Sequence, residues 1–131
     1  MQDELTQTSA PVVAPNLLPL YEESARIMTI CNACRFCEGH CAVFPAMEQR
    51  LTFDRETVDY LANLCHQCGA CYQHCQYADP HEFNVNVPRV FAEVRHSSYA
   101  HFAWPKGMAW AIRNAWGFTI LTTLLATLFF L

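Results

Sequence analysis

Positive charge is scarce in this 131-residue chain, which has eight lysines and arginines against twelve aspartates and glutamates. The formal net charge of −4 and the lack of a basic stripe argue against binding to nucleic-acid phosphates. Only four glycines are present, and they form no Gly-rich phosphate loop. No nucleophile–base pair and no paired carboxylates stand out, so the sequence predicts no substrate-turnover site of its own.

An export signal is also missing from the start of the chain, which reads Met-Gln-Asp-Glu and has no apolar core after it. We therefore expect a reducing, cytoplasmic setting for the residues that follow. In that setting cysteine thiols bind metals, whereas structural disulfides are rare.

Cysteine is the residue that is abundant here, and all eight cysteines lie within residues 31–75. They form two runs that each read C-x2-C-x2-C-x3-C, the pattern that binds [4Fe–4S] clusters in bacterial-type ferredoxins. The sequence therefore predicts two [4Fe–4S] clusters. The first run is Cys31, Cys34, Cys37 and Cys41, and the second is Cys65, Cys68, Cys71 and Cys75.

The assignment of ligands to clusters is carried over from two-cluster ferredoxins, in which the fourth cysteine of each run ligates the other cluster. On that pattern Cys75 joins the first set and Cys41 joins the second. The expected ligands are Cys31, Cys34, Cys37 and Cys75 for cluster 1, and Cys65, Cys68, Cys71 and Cys41 for cluster 2.

Other metal and redox sites fit the spacing less well. Zinc sites prefer two separated cysteine pairs, and four cysteines within eleven residues, twice over, are poor zinc geometry. A thioredoxin-like pair is disfavoured because further cysteines flank each C-x2-C and no βαβ pattern surrounds it. The histidines are expected not to be cluster ligands, and a haem-ligand role for His96 and His101 is less favoured than a surface position. Val43, Phe44 and Phe83 are candidates for shielding the clusters, with core packing as the alternative.

The residue patterns predict a mainly α domain, since no stretch alternates strongly between apolar and polar residues. We expect helices over residues 20–30, briefly over 46–51, from an N-cap at Asp54 to the second cysteine run, and from an Asn86 cap through residue 95. The predicted layout is an extended tail (1–19), a dicluster domain (20–96), a juxtamembrane connector (97–107) and a first transmembrane helix (108–131).

That last prediction depends on residues 114–131, which contain no charged side chain. Lys106 and Arg113 precede this apolar run, which places the domain on the cytoplasmic side of the inner membrane by the positive-inside rule. A buried helix of a partner complex is the alternative. The run stops at Leu131, as expected of a chain cut within its first span. Tryptophans that fit a membrane interface lie at Trp104, Trp110 and Trp116.

The wording around the cysteines, in residues 31–47, 61–71, 81–83 and 85–88, resembles the tricarballylate-utilisation protein B family, also called citrate-utilisation protein B. The resemblance covers roughly residues 20–131. It implies an α-helical ferredoxin domain of the type found in fumarate reductase and heterodisulfide reductase subunits. In that family the domain with two [4Fe–4S] clusters precedes a membrane domain that binds haem b.

The resemblance implies an electron-transfer subunit. Electrons would pass from an FAD-dependent, tricarballylate dehydrogenase-like partner through both clusters to haem b and the quinone pool. Haem b is expected to be bound by residues outside this chain. Two alternatives stay open: an iron–sulfur subunit of another membrane redox complex, such as a heterodisulfide-reductase-like one, and an iron–sulfur redox sensor.

Overall fold

The computed structural model describes residues 17–131, and every regular element within them is a helix. This confirms the mainly α prediction. The predicted tail falls largely on residues 1–16, which lie outside the described residues. The helices are α1 (Leu18–Cys34), α2 (Val43–Glu48), α3 (Arg55–Leu64), α4 (Ala70–Gln73), α5 (Val87–Phe102), α6 (Lys106–Arg113) and α7 (Ala115–Phe130).

One hydrophobic core holds α1, α2, α3 and α5 together. Its largest fully buried side chains include Phe44 of α2 and Phe91 of α5, with Ile27 and Met28 of α1 beside them. Six of the eight cysteines are partly buried and pack against this core. The cysteine runs therefore lie at the edge of the core, where an apolar wall is available on one side.

Two predicted helix caps are confirmed. The Asp54 carboxylate accepts a hydrogen bond from the Thr57 backbone N–H at 3.0 Å. This N–H lies in the first turn of α3 and has no acceptor within the helix, so the Asp54 side chain caps the helix start. The Asn86 side chain accepts one from the Arg89 N–H at 3.1 Å, with proline in the first turn of α5. Both helices therefore start at the residues that the sequence indicates.

Other helix boundaries differ from the prediction. The first helix continues to Cys34 instead of ending near residue 30, and α2 begins at Val43, earlier than expected. Residues 97–102, predicted to be part of a connector, are the last turns of α5. The polar run there looks like surface, but Ser98 is buried and accepts a hydrogen bond from Asn63 of α3 at 3.2 Å. That tertiary contact keeps the helix against the core.

The predicted transmembrane helix over residues 108–131 is corrected by the structure. Asn114 leaves the helical conformation (φ −117°, ψ 45°) and divides the segment, and its side-chain amide donates to the Trp110 carbonyl at 3.1 Å, beside the ordinary helical bond from its backbone N–H at 2.9 Å. The 16 residues of α7 rise about 24 Å, less than the roughly 30 Å of a bilayer core. Across residues 17–131, no helix combines the length and the apolar character that crossing a membrane requires.

The C-terminal helices extend from the domain through α5. The short connection after α5 lets α6 fold back and pack against it. Within the described part of the chain, α7 contacts α6 and no other helix, and none of its side chains is buried. The cysteine-bearing region and the apolar C-terminal helix are thus separate parts of the described chain.

Candidate metal centre

The first cysteine run is positioned by the end of α1. Cys31 and Cys34 lie in its last turn, and Arg35 then takes a left-handed conformation (φ 54°) that reverses the chain. The Arg35 N–H donates to the Cys31 carbonyl at 2.8 Å, which closes the helix. Turns then return Cys37 toward the first two cysteines, with the His40 N–H donating to the Cys37 carbonyl at 3.0 Å.

The second run follows α3 in a similar way. The helix ends at Leu64, and Gln67 and Gly69 both have positive φ values, 58° and 76°. Glycine adopts this left-handed geometry without a Cβ penalty, and Gly69 is the N-cap of the short helix α4 that holds Cys71. This helix is absent from the prediction because four residues are too few to show a period.

The eight thiols line two cavities, four thiols in each. Each set contains three cysteines of one run and the last cysteine of the other run. The cavities enclose about 350 and 420 Å³ of space, including their open mouths. The first is lined by Cys31, Cys34, Cys37 and Cys75, and the second by Cys41, Cys65, Cys68 and Cys71.

The thiol pKa values show which cysteines are close neighbours, both within each set and between the two sets. Burial raises the pKa of the Cys31 thiol to about 12, and among its neighbours Cys75 adds most, ahead of Cys37. Burial likewise raises the pKa of Cys71 to about 12, with further contributions first from Cys37 and then from Cys65 and Cys41. Burial and then Cys75 raise the pKa of Cys37. Since Cys37 and Cys71 belong to different sets, the two cavities are adjacent at these residues.

One aromatic side chain belongs to the walls of both cavities. Phe44 lines both of them and is only 2% exposed. Of the other shielding candidates, Val43 lines the second cavity, whereas Phe83 lines neither and is 40% exposed. Phe83 instead packs against Tyr77, with ring centroids 5.6 Å apart. The position of Phe44 makes it a structural link between the two sets of thiols.

Side-chain amides contact the cysteine sulfurs, which the sequence reasoning missed. The Gln67 backbone N–H and its Nε2 amide donate to Cys65 Sγ at 3.4 and 3.5 Å. Gln76, which directly follows the last cysteine of the second run, donates from its Nε2 to Cys34 Sγ at 3.6 Å. Hydrogen bonds to the ligating sulfurs adjust the reduction potential of an iron–sulfur cluster. The only sequence signal for these contacts is the placement of each glutamine beside a cysteine.

The histidines of the runs lie near the thiols without completing a set. His40 and His66 line the second cavity, and the His40 and His74 rings meet edge to face with centroids 5.5 Å apart. Each cavity already has four thiols, one for each iron of a [4Fe–4S] cube. His96 and His101 line neither cavity.

The donor set fits iron–sulfur clusters by its chemistry. All eight cysteines are free thiols, not disulfides. No three histidine, cysteine or acidic side chains in residues 17–131 converge closely enough to hold one metal ion. A cube differs from a single ion in this respect, because it presents four separate irons to its four ligands. The raised pKa values mean that these thiols release protons when they bind iron.

Without a cluster, the buried thiols should react slowly with alkylating reagents. At pH 8, Cys31 and Cys71 are expected to react about 50-fold more slowly than an ordinary thiol, because a pKa about three units higher lowers the thiolate fraction and is only partly offset by greater nucleophilicity. Iodoacetamide labelling of cluster-free protein, followed by peptide mass spectrometry, measures the labelling rate of each cysteine. Cys68 is the exposed cysteine and serves as the control.

The same shifts give a pH dependence for the cluster-free fold. Because the folded chain retains protons that the unfolded chain releases, its stability should be complete below pH 9 and fall as the pH rises toward 12. Rapid labelling of Cys31 or Cys71 at pH 8, or stability that rises above pH 9, would contradict these assignments.

Comparisons with known proteins agree with the chemistry of the site. Residues 24–101 match the family described as the citrate utilization protein B Fer4-like domain. The citrate utilization protein B of Escherichia coli is 55% identical over 106 residues, which cover 81% of this chain and 28% of that protein. The chain thus corresponds to little more than a quarter of this relative. No solved structure matches it.

The family match includes both cysteine runs and the helices that position them, α3 and most of α1 and α5. It also confirms the family resemblance that the cysteine wording indicates. The chain therefore belongs to the citrate utilization protein B family and contains its Fer4-like iron–sulfur domain.

Proposed function

We propose that this chain is an electron-transfer module that holds two [4Fe–4S] clusters in series. The observation that carries the proposal is the pair of adjacent cavities, each lined by four thiols and both lined by Phe44. We assign cluster 1 to Cys31, Cys34, Cys37 and Cys75, and cluster 2 to Cys65, Cys68, Cys71 and Cys41.

When bound, such clusters supply one-electron chemistry, and the protein sets their potential and spacing. The eight thiolates would hold the irons, and the apolar wall formed by Val43, Phe44 and Val85 would limit access of water. Gln67 and Gln76 donate hydrogen bonds to one sulfur in each set, which favours the more negative, reduced state.

The wider pathway is part of the proposal. An FAD-dependent dehydrogenase supplies the electrons, and a haem-b-bearing membrane domain or the quinone pool accepts them, on the cytoplasmic side of the inner membrane. The relative from Escherichia coli is a citrate utilization protein, which supports a role for this chain in the use of a tricarboxylate-type acid. Co-purification with an FAD dehydrogenase supports this pathway, and co-purification with a different catalytic subunit supports another redox complex.

A direct test is the metal content of protein purified without oxygen. Two four-iron cubes predict about eight irons and about eight acid-labile sulfides per chain. A value near four irons, or stoichiometric zinc without sulfide, would overturn the assignment of two clusters.

A redox sensor is the second candidate, and the exposure of Cys68 is the observation that favours it. An exposed ligand lets oxidants reach one cluster before the other. The sensor hypothesis expects reversible loss of that cluster in air and no quinone reduction when a chemical donor is supplied. The electron-transfer hypothesis expects quinone reduction that depends on both clusters.

A further inference from the structure

We propose that the groove between α5 and α6 binds the headgroups of anionic phospholipids and holds the domain against a membrane surface. This goes beyond electron transfer, because the two helices carry no cysteine and form no part of either cavity wall other than Val87 and Pro88. It builds on the membrane setting proposed above and gives it a chemical basis.

The charge of the chain is divided along its length. No aspartate or glutamate follows Glu93, so all twelve acidic residues precede the last helices. Arg95, Lys106 and Arg113 are the charged residues beyond that point. The net charge of −4 therefore conceals a positive C-terminal part, which anionic surfaces attract.

The groove gathers this charge on a concave surface. On α5 and α6 its basic residues are His96, His101, Lys106 and Arg113, and its walls contain small alanine side chains. Among residues 17–131, Glu93 is the only carboxylate that lines it. That carboxylate lies 3.4 Å from Arg89 Nε, which partly neutralises it.

Lys106 and Arg113 form no ion pair within residues 17–131, and both are exposed. Arg55 also lines the groove, and its guanidinium lies 3.8 Å from Asp59. Cations brought together in a groove repel one another until an anion neutralises them. A phosphate-bearing headgroup supplies that charge.

Exposed apolar side chains that flank the groove residues in the sequence favour a lipid as the source of the phosphate. Trp104 and Trp116 are 89% and 86% exposed, and Trp110 is half exposed between them. Tryptophan beside basic residues is typical of the lipid–water boundary. The uncharged helix α7 begins directly after this region and has no buried side chain. A free phosphate ion would leave all of this apolar surface in water.

A second copy of the chain fits the groove less well. A two-fold dimer places the same surface patch on both subunits, so the cations of one groove would face those of the other. Like charges in contact lower affinity. The groove therefore favours an anionic surface over self-association.

The test is flotation of the intact chain, loaded with its clusters under anaerobic conditions, with two vesicle types. One is pure phosphatidylcholine, and the other contains about 30% phosphatidylglycerol. We expect strong binding only to the second, and a loss with added salt. Replacing both groove cations, as Lys106→Gln with Arg113→Gln, should weaken binding about 30-fold, since each basic residue near an anionic surface contributes about five-fold.

The matched control is Arg26→Gln with Arg50→Gln, which removes two exposed arginines outside the groove. This control should bind vesicles as the unchanged protein does, and iron content verifies that both variants keep their clusters. Equal binding to the two vesicle types, an unchanged groove variant, or an equal loss in the control would overturn the proposal.

Competition by inorganic phosphate at matched concentration would assign the groove to a free ion instead. Self-association that only the groove variant loses would assign it to a second copy. Iron content and flotation are separate readouts, so failure of one leaves the other interpretable.

Discussion

Cys75→Ser is expected to remove or alter the cluster held by Cys31, Cys34 and Cys37, although Cys75 lies in the other cysteine run. The reason is geometric: Cys75 lines the first cavity with these three residues, and it heads the neighbouring thiols that raise the Cys31 pKa. A serine hydroxyl is a poorer iron ligand than a thiolate. Iron should fall from about eight toward about four per chain as one cube is lost.

EPR of the reduced protein identifies which cluster changes. The reciprocal variant, Cys41→Ser, is the matched control, because it makes the same chemical change in the opposite cavity. Its effect should fall on the cluster held by Cys65, Cys68 and Cys71. If each substitution instead altered the cluster of its own run, the crossed assignment would be wrong.

Phe44→Ala is expected to lower the stability of the fold strongly and, at the same time, to perturb both clusters. Truncating a fully buried phenylalanine typically costs about 3–5 kcal/mol of unfolding free energy through lost burial and the cavity left behind. Phe44 also lines both thiol cavities, so its removal admits water to each of them. We expect both EPR signals to shift and both clusters to be lost faster in air.

Phe91→Ala provides a control with the same chemistry. Phe91 is as deeply buried as Phe44 but lies on α5 and lines neither cavity. Its truncation should lower the denaturation midpoint by a similar amount and leave the EPR signals of the folded protein unchanged. Equal spectral changes in the two variants would mean that Phe44 acts only through global stability.

Local patterns account for what sequence reasoning predicted correctly. The Asp54 and Asn86 caps depend on hydrogen bonds to residues only three positions along the chain, so a short stretch of sequence is enough to predict them. The helices that lead into Cys31 and Cys65 follow from apolar periodicity and charge placement. The cysteine spacing and wording likewise indicated the iron–sulfur family, and the comparisons confirm it.

Boundaries failed where a distant contact or a side-chain bond overrode the local pattern. The residues around Ser98 are polar, yet Ser98 itself is buried and bonded to Asn63, 35 residues away, and the helix continues past it. Apart from Arg113 and Asn114, residues 108–131 are mostly apolar, so their composition indicates one helix. The backbone leaves the helical conformation at Asn114, whose side-chain amide donates to the Trp110 carbonyl, and composition alone does not predict that break.

The sequence by itself determined the mainly helical class, the family and the eight-thiol donor set, because helix periodicity and cysteine spacing are local properties. The ferredoxin pattern implied the two ligand sets, but only the tertiary structure decided that the thiols of each set line one cavity, that Phe44 lines both cavities, and that Lys106 and Arg113 share a groove with His96 and His101. These arrangements join residues that are up to 44 positions apart, such as Cys31 and Cys75. Their proximity depends on how α1, α3 and α5 pack, which no local pattern specifies.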